Sequence, residues 1–349
     1  MNPHPFAYAS LPHLPSASLS FRRLWFSRLS QRLALAAVAL CVAATPALAQ
    51  DYPAHPVKLV VPLTPGSGAD IVARILGRKL QQMWNQTVLV ENLPGAGGQI
   101  GTRRVVQAPA DGLTLLVQSA SHAANPAIYK KLPYDPQTDL VDVALLSTTP
   151  YVMVAASASP YKSVKDIADA AKAKPGALAF ASAGVGSSTH LTAELFAQRA
   201  GISMMHVPFK GSPDAITDVA ANRSVFYMAP LSTLGGMLTD DGRLSAIAVT
   251  SAQRVSTLPN VPTVAESGYP DVNIELWIGL WAPAGTKPAI IEKLSSDLTT
   301  ALQSPDVQAQ FAKSGNSTRI LKPEQFKAFV DSEIKTNKQL AQKAGIQVD

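Results

Sequence analysis

The chain has 349 residues, and the 300 residues after position 49 suit two domains or one large domain. Its formal net charge is +6, but four arginines lie before position 33, and the rest of the chain carries 26 basic against 24 acidic residues. Such a balanced charge does not support nucleic-acid binding, and we expect no nucleic-acid partner.

The first 49 residues have the pattern of a secretory signal peptide. Four arginines precede an apolar run, Leu33–Ala44, and the small-residue triplet Ala47–Ala49 follows. We expect cleavage after Ala49 and export to the periplasm. Cys41, the only cysteine, lies inside this segment, so the mature protein has no thiol for a disulfide. Lipidation of Cys41 is the alternative, but Leu40 precedes it where a small residue is needed.

The first elements of the mature chain alternate between strands and helices. Val57–Val61 is an apolar, β-branched run that predicts a buried strand, and the apolar positions of Ile71–Leu80 fall on one helical face. Thr87–Glu91 and Leu113–Ser119 predict two more strands. This alternation predicts an α/β fold with a mostly parallel sheet.

A second α/β series follows the apolar segment Val143–Ala156. Ser163, with Asp166 three residues later, predicts a capped helix start, and Gly201 predicts the end of the next helix. Ser212-Pro213-Asp214 is typical of an N-cap followed by proline at the first helical position. Strands are predicted at Leu178–Ala181, Met204–Phe209, Val225–Ala229 and Leu244–Thr250. The C-terminal part predicts a helix with an apolar face of Phe326, Phe329, Val330 and Ile334.

Three strand-to-helix loops are rich in small residues and contain no lysine or arginine: Pro65–Asp70, Pro94–Gly98 and Gly184–Thr189. Backbone N–H groups at a helix N-terminus have no acceptor inside the helix and carry the positive end of its dipole. A single such loop is more often a tight turn than a ligand site. Three at equivalent junctions favour a protein that holds a small acid rather than one that transforms it.

Several stretches also resemble one family, in order over essentially the whole mature chain. They are VPLTPGSGADIVAR, ENLPGAGGQIG, ADGLTLL, NPAIYKKLPYDP, ASAGVGSSTHLTAELF, HVPFKGS, AVTSAQRVSTLPNVPTVAESGYP and APAGTKP. They are similar to the Bug (Bordetella uptake gene) receptors, the substrate-binding proteins of tripartite tricarboxylate transporters. The resemblance implies the type II periplasmic binding protein fold, in which two crossing strands join two α/β lobes.

The resemblance also implies domain limits and partners. The crossings would lie at Val143–Val154 and Ala246–Thr250, with lobe 1 in residues 50–148 plus 249–349 and lobe 2 in residues 149–248. A small carboxylate, either a di- or tricarboxylate or an aromatic acid, would be the ligand. The subunits of a tripartite tricarboxylate-type membrane transporter would be the protein partner, and we expect a monomer.

In that family, loop amides hold the ligand carboxylate at the base of the cleft, partly through ordered waters. Carried over to this chain, the resemblance implies ligand contacts in lobe 1 from Thr64, Gly66, Ser67, Gly68, Ala69, Asp70, Gly95, Ala96, Gly97, Gly98, Ser119, Ala120 and Ser121. In lobe 2 it implies contacts from Gly184, Gly186, Ser187, Ser188, Thr189 and Lys210, with Gly211 beside them.

The chain departs from the family pattern in one way. Family members usually carry an aspartate in a Gly-x-Val-Asp-like stretch after the Ser-Pro-Asp helix, where this chain has Asn222-Arg223-Ser224-Val225, and a second aspartate where it has Ala229. These carboxylates would suit a ligand ammonium group. Their absence weakens the case for an amino acid and favours a plain carboxylic acid.

Other chemistries lack their motifs. The first two glycine loops lack the third glycine of a dinucleotide fingerprint and a P-loop lysine, and Gly186-Ser187 does not continue as a nucleophile elbow. The mature histidines form no metal spacing. We therefore expect no catalytic residue, no metal and no cofactor. An esterase using Ser187, Ser188 and His190 remains an alternative, as does a ligand sensor for a signalling system.

The sequence leaves more than one role for three side chains. Asp70 either orients a ligand hydroxyl or caps its own helix. Trp277 and Trp281 favour packing, although one of them could line the mouth of the cleft and suit an aromatic acid.

Overall fold

The computed structural model describes residues 52–238 and 242–345. The predicted signal peptide and its cleavage site lie outside these residues. Within the described ranges, no helix combines the length and the apolar content that crossing a membrane requires.

Strands and helices alternate along most of the described chain. The strands are β1 (Val57–Val61), β2 (Val88–Asn92), β3 (Thr114–Ser119), β4 (Leu140–Ala156), β5 (Ala179–Ser182), β6 (Met205–Pro208), β7 (Phe226–Pro230), β8 (Leu244–Val249) and β9 (Glu275–Pro283). The helices are α1 (Gly68–Trp84), α2 (Gln99–Val106), α3 (Ser121–Ile128), α4 (Val164–Ala173), α5 (Ser188–Ala200), α6 (Ser212–Ala220), α7 (Pro288–Gln303), α8 (Pro305–Lys313) and α9 (Pro323–Ala344).

The strands form two sheets that share β4. The first sheet has the order β2-β1-β3-β9-β4, with β1 parallel to β2 and β3, and β9 antiparallel to both of its neighbours. In the second sheet β4 lies between β8 and β7, and β7, β5 and β6 follow in parallel. The predicted arrangement of two α/β lobes is confirmed.

The long strand β4 carries the chain from one sheet to the other. Leu140–Pro150 pairs with β9, and Tyr151–Ala156 pairs with β7 and β8. The first predicted crossing therefore lies inside β4. The second predicted crossing, Ala246–Thr250, falls largely in β8, and the chain re-enters the first sheet at β9. The residue limits of the lobes stay a prediction.

Local sequence signals determine most helix ends. Ser163 and Asp166 form the predicted capping box, and Gly201 ends α5 in the left-handed conformation. The prediction for Ser212 is wrong by one position, because Gly211 is the N-cap of α6 and Ser212 is its first residue. The Ser212 hydroxyl accepts a hydrogen bond from Tyr227 Oη (2.9 Å) instead of capping.

An aromatic cluster packs α9 onto the first sheet beside the crossing. The rings of Trp281 and Phe326 are 5.2 Å apart, and Trp277 contacts Phe329 edge-on at 5.2 Å. Both tryptophans are buried, in keeping with the predicted packing role, and Trp277 also lines a cavity beside the crossing. Gly279 of β9 lies under the Phe326 ring, so a side chain there would overlap this ring and lie 2.7 Å from Trp281.

Gly279→Ala should lower the free energy of unfolding by about 1–3 kcal/mol, because the added methyl group overpacks the aromatic cluster. Urea denaturation followed by circular dichroism measures the change. Gly77→Ala in the middle of α1 is the matched control: its methyl group meets only ordinary contacts of 3.5 Å or more. That control should raise stability by about 0.5–1 kcal/mol. A Gly279→Ala protein as stable as the parent would contradict this account of the packing.

Candidate ligand-binding site

Two loops, one from each sheet, have the same backbone conformation at the start of a helix. Gly66 before α1 and Gly186 before α5 both have φ of 79°, a left-handed value that favours glycine. Ser67 and Ser187 follow as N-caps with φ of −69° and ψ of 160° and 155°. Their hydroxyls accept the N–H groups of Asp70 (3.4 Å) and His190 (3.2 Å). The two halves of the molecule therefore present equivalent helix N-termini.

The third residue of each of these helices holds its own loop. Asp70 Oδ2 accepts the Gly66 N–H (2.9 Å), and His190 Nδ1 accepts the Gly186 N–H (3.4 Å). Asp70 also accepts hydrogen bonds from Arg74 Nε (3.0 Å) and Asn92 Nδ2 (3.0 Å). These contacts occupy the Asp70 carboxylate, so it holds the loop in place and does not orient a ligand hydroxyl.

The two helix N-termini meet at a small cavity of about 30 Å³. The N–H groups in the first turn of a helix have no acceptor inside it, and here they border the cavity together with serine hydroxyls. No residue that lines it is charged. The predicted residues that line it are Ser67, Gly68, Ala69, Ser119, Ser121, Ser187, Ser188 and Thr189, and Gly211 joins them.

A larger cavity of about 940 Å³ lies next to the small one, and both contact Leu63 and Ala183. Its charged side chains are Lys210 and Asp214. The predicted residues that line it are Thr64, Gly95, Ala96, Gly97, Gly98, Gly184 and Lys210. The structure thus brings most predicted residues to two adjoining spaces between the sheets.

A few predicted residues line neither space. Gly66, Asp70 and Gly186 shape the loops, and Ala120 lines a separate cavity beside the crossing strands. The Ser187 hydroxyl donates to Gly184 O (2.7 Å) while it caps α5, so its proton is engaged within the loop.

Sequence reasoning missed residues that come from distant elements. Tyr129 and Phe209 line the larger cavity, and Ser212 lines the smaller one. Ser232 follows β7, and its buried hydroxyl has no partner among the described residues; the same holds for Thr64 Oγ1. Buried hydroxyls are normally hydrogen-bonded, so both are available to a ligand or to water. Tyr129 ends α3 within NPAIYKKLPYDP, but no local pattern singles it out.

The two lobes are in contact across the site. Tyr129 Oη donates to Val185 O (3.0 Å), and the Ser188 N–H donates to Ser121 Oγ (3.1 Å). Gly211 lies so close to Thr64 that any side chain at position 211 would overlap the Thr64 hydroxyl. These contacts define a closed arrangement.

A stacked histidine pair underlies the second loop. The rings of His190 and His206 lie 3.8 Å apart, and His206 Nε2 lies 2.6 Å from Ser182 Oγ, which also accepts the Gly184 N–H (3.0 Å). Burial, followed by the charge of His190, lowers the pKa of His206 to about 3. A histidine of that pKa is a poor general base near neutral pH, and Ser182 is fully buried. The histidine pair therefore has a structural role, in which it holds the Gly184–Thr189 loop in place.

Within residues 52–238 and 242–345, no group of three or more histidine, cysteine, aspartate or glutamate side chains is arranged to hold a metal ion.

Comparison with known proteins gives one consistent result. Residues 72–346 match the tripartite tricarboxylate transporter family receptor, TctC. BugT from Bordetella pertussis is 37% identical over 295 residues, which cover 83% of this chain and 90% of BugT.

Solved structures agree with this match. Rpa4515 of R. palustris, solved with adipate, has a TM-score of 0.82 and 30% identity over 85% of this chain and all of its own. The periplasmic binding protein BugD has a TM-score of 0.79 and 32% identity, and the match covers 85% of this chain and all of BugD. MatC of Rhodopseudomonas palustris, solved with malate, has a TM-score of 0.78 and 29% identity, and the match covers 83% of this chain and 99% of MatC.

Acidification should destabilise the protein through His206. Its pKa in the fold, about 3, lies below the ordinary value of 6.5, so the unfolded chain binds the proton more readily. The stability gained from neutral His206 is complete above pH 6.5 and is lost as the pH falls toward 3. Urea unfolding of the parent should show this loss between pH 7 and 4, and His206→Phe should show a smaller one.

The exposed His55 provides the control, since His55→Phe should keep the parent's pH dependence. His122, whose pKa burial lowers to about 4, contributes the same trend to every variant. Equal slopes for the parent and His206→Phe would show that His206 does not couple protons to folding.

Tyr129→Phe should shift the ligand-free protein toward an open arrangement. The lost hydrogen bond to Val185 is worth about 0.5–1.5 kcal/mol, a factor of about two to twelve in the ratio of closed to open molecules. Small-angle scattering should then give a larger radius of gyration. Tyr161→Phe removes a hydroxyl outside the two cavities and should leave the radius unchanged. A Tyr129→Phe radius equal to that of the parent would mean that this bond does not hold the lobes together.

Proposed function

The chain belongs to the tripartite tricarboxylate transporter receptor family, and on this premise we propose that it is a periplasmic solute-binding receptor. It captures a small carboxylic acid between its two lobes. It then delivers the acid to a membrane transporter of the tripartite tricarboxylate type.

The meeting of two serine-capped helix N-termini at one uncharged cavity carries this proposal. A carboxylate has two oxygens that accept hydrogen bonds, and α1 and α5 direct N–H groups and helix dipoles at the same small space. Such donors stabilise the anion without a buried arginine, which avoids part of the desolvation cost of a buried ion pair.

The rest of the ligand extends toward the larger cavity. There the Lys210 ammonium group can meet a second carboxylate, which favours a dicarboxylate whose second group binds on the Lys210 side, away from Asp214. Two family neighbours were solved with dicarboxylates, adipate and malate. Ala229 is buried in β7 and offers no carboxylate, so a ligand ammonium group has no partner from this side chain.

Closure follows from the distribution of donors. The open protein offers a carboxylate the N-terminus of one helix, whereas the closed protein offers both. Because the ligand binds the closed state more tightly, it shifts the equilibrium toward closure. The transporter then receives the closed, loaded form.

We expect binding of a carboxylic acid without turnover. A thermal-shift screen over adipate, malate, citrate, benzoate and glutamate identifies the ligand class, and calorimetry gives its dissociation constant. A ligand at one hundred times that constant should stabilise the protein by about 2.7 kcal/mol. Consumption of the ligand by the pure protein would contradict the receptor proposal, and a best response to glutamate would contradict the preference for plain acids.

The same assay tests the loop with a matched pair of variants. Gly97 has φ of 63°, and a Cβ there would lie 2.9 Å from Tyr129 Oη and 3.2 Å from Val185 O. Gly176 has a similar φ of 73° but has nothing within 4 Å of a Cβ. Gly97→Val should weaken carboxylate binding about tenfold or more, since it blocks closure, and Gly176→Val carries equal strain without that loss. Equal affinities for the two variants would refute the role assigned to the 94–98 loop.

A sensor that reports the same ligand to a signalling protein is the second candidate, and the ligand site would be the same. Capture with detergent-solubilised membranes, with and without the ligand, distinguishes the two. Recovery of transporter subunits only when ligand is present supports delivery, whereas recovery of a receptor kinase supports sensing.

A further inference from the structure

A third cavity, of about 510 Å³, lies beside the crossing strands and takes no part in the proposed capture of a carboxylate. Its walls come from β4 and β9, from α3 and α9 against the first sheet, and from α5 against the second. Its volume falls in the range of small-molecule sites. Ser188 is the one residue that it shares with the small cavity at the helix N-termini.

Two aromatic rings form one wall of this hinge cavity. Trp277 is 2% exposed, and its ring meets that of Phe329 edge-on, with centroids 5.2 Å apart and planes at 74°. Leu191 and Leu340 add aliphatic surface. The cavity can therefore take the apolar body of a ligand.

A carboxylate stands against the same aromatic wall. Glu333 Oε2 accepts a hydrogen bond from Trp277 Nε1 (2.9 Å). Burial raises the pKa of Glu333, and Arg319 opposes this rise. Among the described residues no lysine or arginine lies within ion-pair distance of Glu333. The Arg319 guanidinium acts on it from farther away and lies over the Phe329 ring, 5.3 Å from its centroid. A second carboxylate, Glu275, borders the cavity from β9.

The charges decide which class of ligand fits. Glu333 and Glu275 repel an anion, and Arg319 is already engaged with Phe329. A cation gains the partly desolvated carboxylate of Glu333, and its apolar part gains contact with the aromatic and aliphatic wall. The hinge cavity thus has the opposite preference to the carboxylate site.

We propose that the hinge cavity is a second ligand site, which binds a small amphipathic organic cation with its ammonium group at Glu333 and its apolar body against Trp277 and Phe329. This proposal goes beyond the capture of a carboxylate and does not depend on it.

The position of the cavity links the two sites. Tyr151 of β4 is fully buried and lines the hinge cavity together with Ser188 and Thr192 of α5. Ser188 in turn donates its N–H to Ser121 at the carboxylate site. Because both lobes supply walls, the shape of the hinge cavity depends on the relative position of the lobes. By linkage, an occupant that changes the affinity for the carboxylate has its own affinity changed by the carboxylate to the same extent.

Calorimetry on the purified protein tests the site, with phenethylammonium chloride as the cation and phenethyl alcohol as an uncharged probe of the same shape. The parent should bind the cation about tenfold or more tightly than the alcohol. Glu333→Gln keeps an acceptor for Trp277 but removes the charge, and it should weaken cation binding by a similar factor. Glu324→Gln, in the exposed first turn of α9, is the matched control and should bind like the parent.

A second variant does not alter the buried carboxylate. Thr336 is exposed on α9 and lines the cavity, so Thr336→Lys places a tethered ammonium group there and should abolish cation binding. Circular dichroism confirms that the variants are folded; if Glu333→Gln is not, Thr336→Lys decides. The proposal is wrong if the parent binds the cation no more tightly than the alcohol, or if a folded Glu333→Gln or Thr336→Lys protein binds it as the parent does.

Discussion

Backbone N–H groups at a helix start have no acceptor inside the helix, and the cleft of this protein is organised around that constraint. α1 and α5 both begin after a Gly-Ser pair with nearly the same dihedral angles, and each serine takes one N–H as an N-cap. The Ser188 N–H donates to Ser121 Oγ, and Gly68, Ala69 and Thr189 of the two first turns line one uncharged cavity. Their positions depend on two left-handed glycines and on the side chains of Asp70 and His190, which hold the loops.

The strand β4 makes this meeting of helix N-termini possible. It pairs with β9 in the first sheet and with β7 and β8 in the second, so the carboxyl ends of the parallel strands in both sheets face the same cleft. Contacts such as Tyr129 with Val185 hold the closed arrangement, and each is a single hydrogen bond of modest strength. The lobes are therefore joined firmly by the strand pairing of β4 and only weakly by single hydrogen bonds across the cleft.

The distribution of charge separates the two candidate ligand sites. The cavity at the helix N-termini has neither a cation nor an anion in its lining, so dipoles and N–H groups set its preference for an acid. The hinge cavity instead has a carboxylate, Glu333, without an ion-pair partner among the described residues, set against aromatic rings. One buried tyrosine, Tyr151, reaches from the hinge to the helix that contributes to both spaces.

Local patterns in the sequence predicted most of the strands, several helix ends and the three small-residue loops, because capping, periodicity and glycine conformations depend on neighbours within a few residues. They did not predict β9, the central strand of the first sheet that pairs with β3 and β4. Val57–Val61 is a strand as predicted, and Ser163 with Asp166 forms the predicted capping box of α4. Only the tertiary structure decided which loops face each other and which side chains meet across the molecule. Asp70 bonds with Asn92, 22 positions away, and Tyr129 bonds with Val185, 56 positions away. A pairing across such distances has no signature in either local sequence.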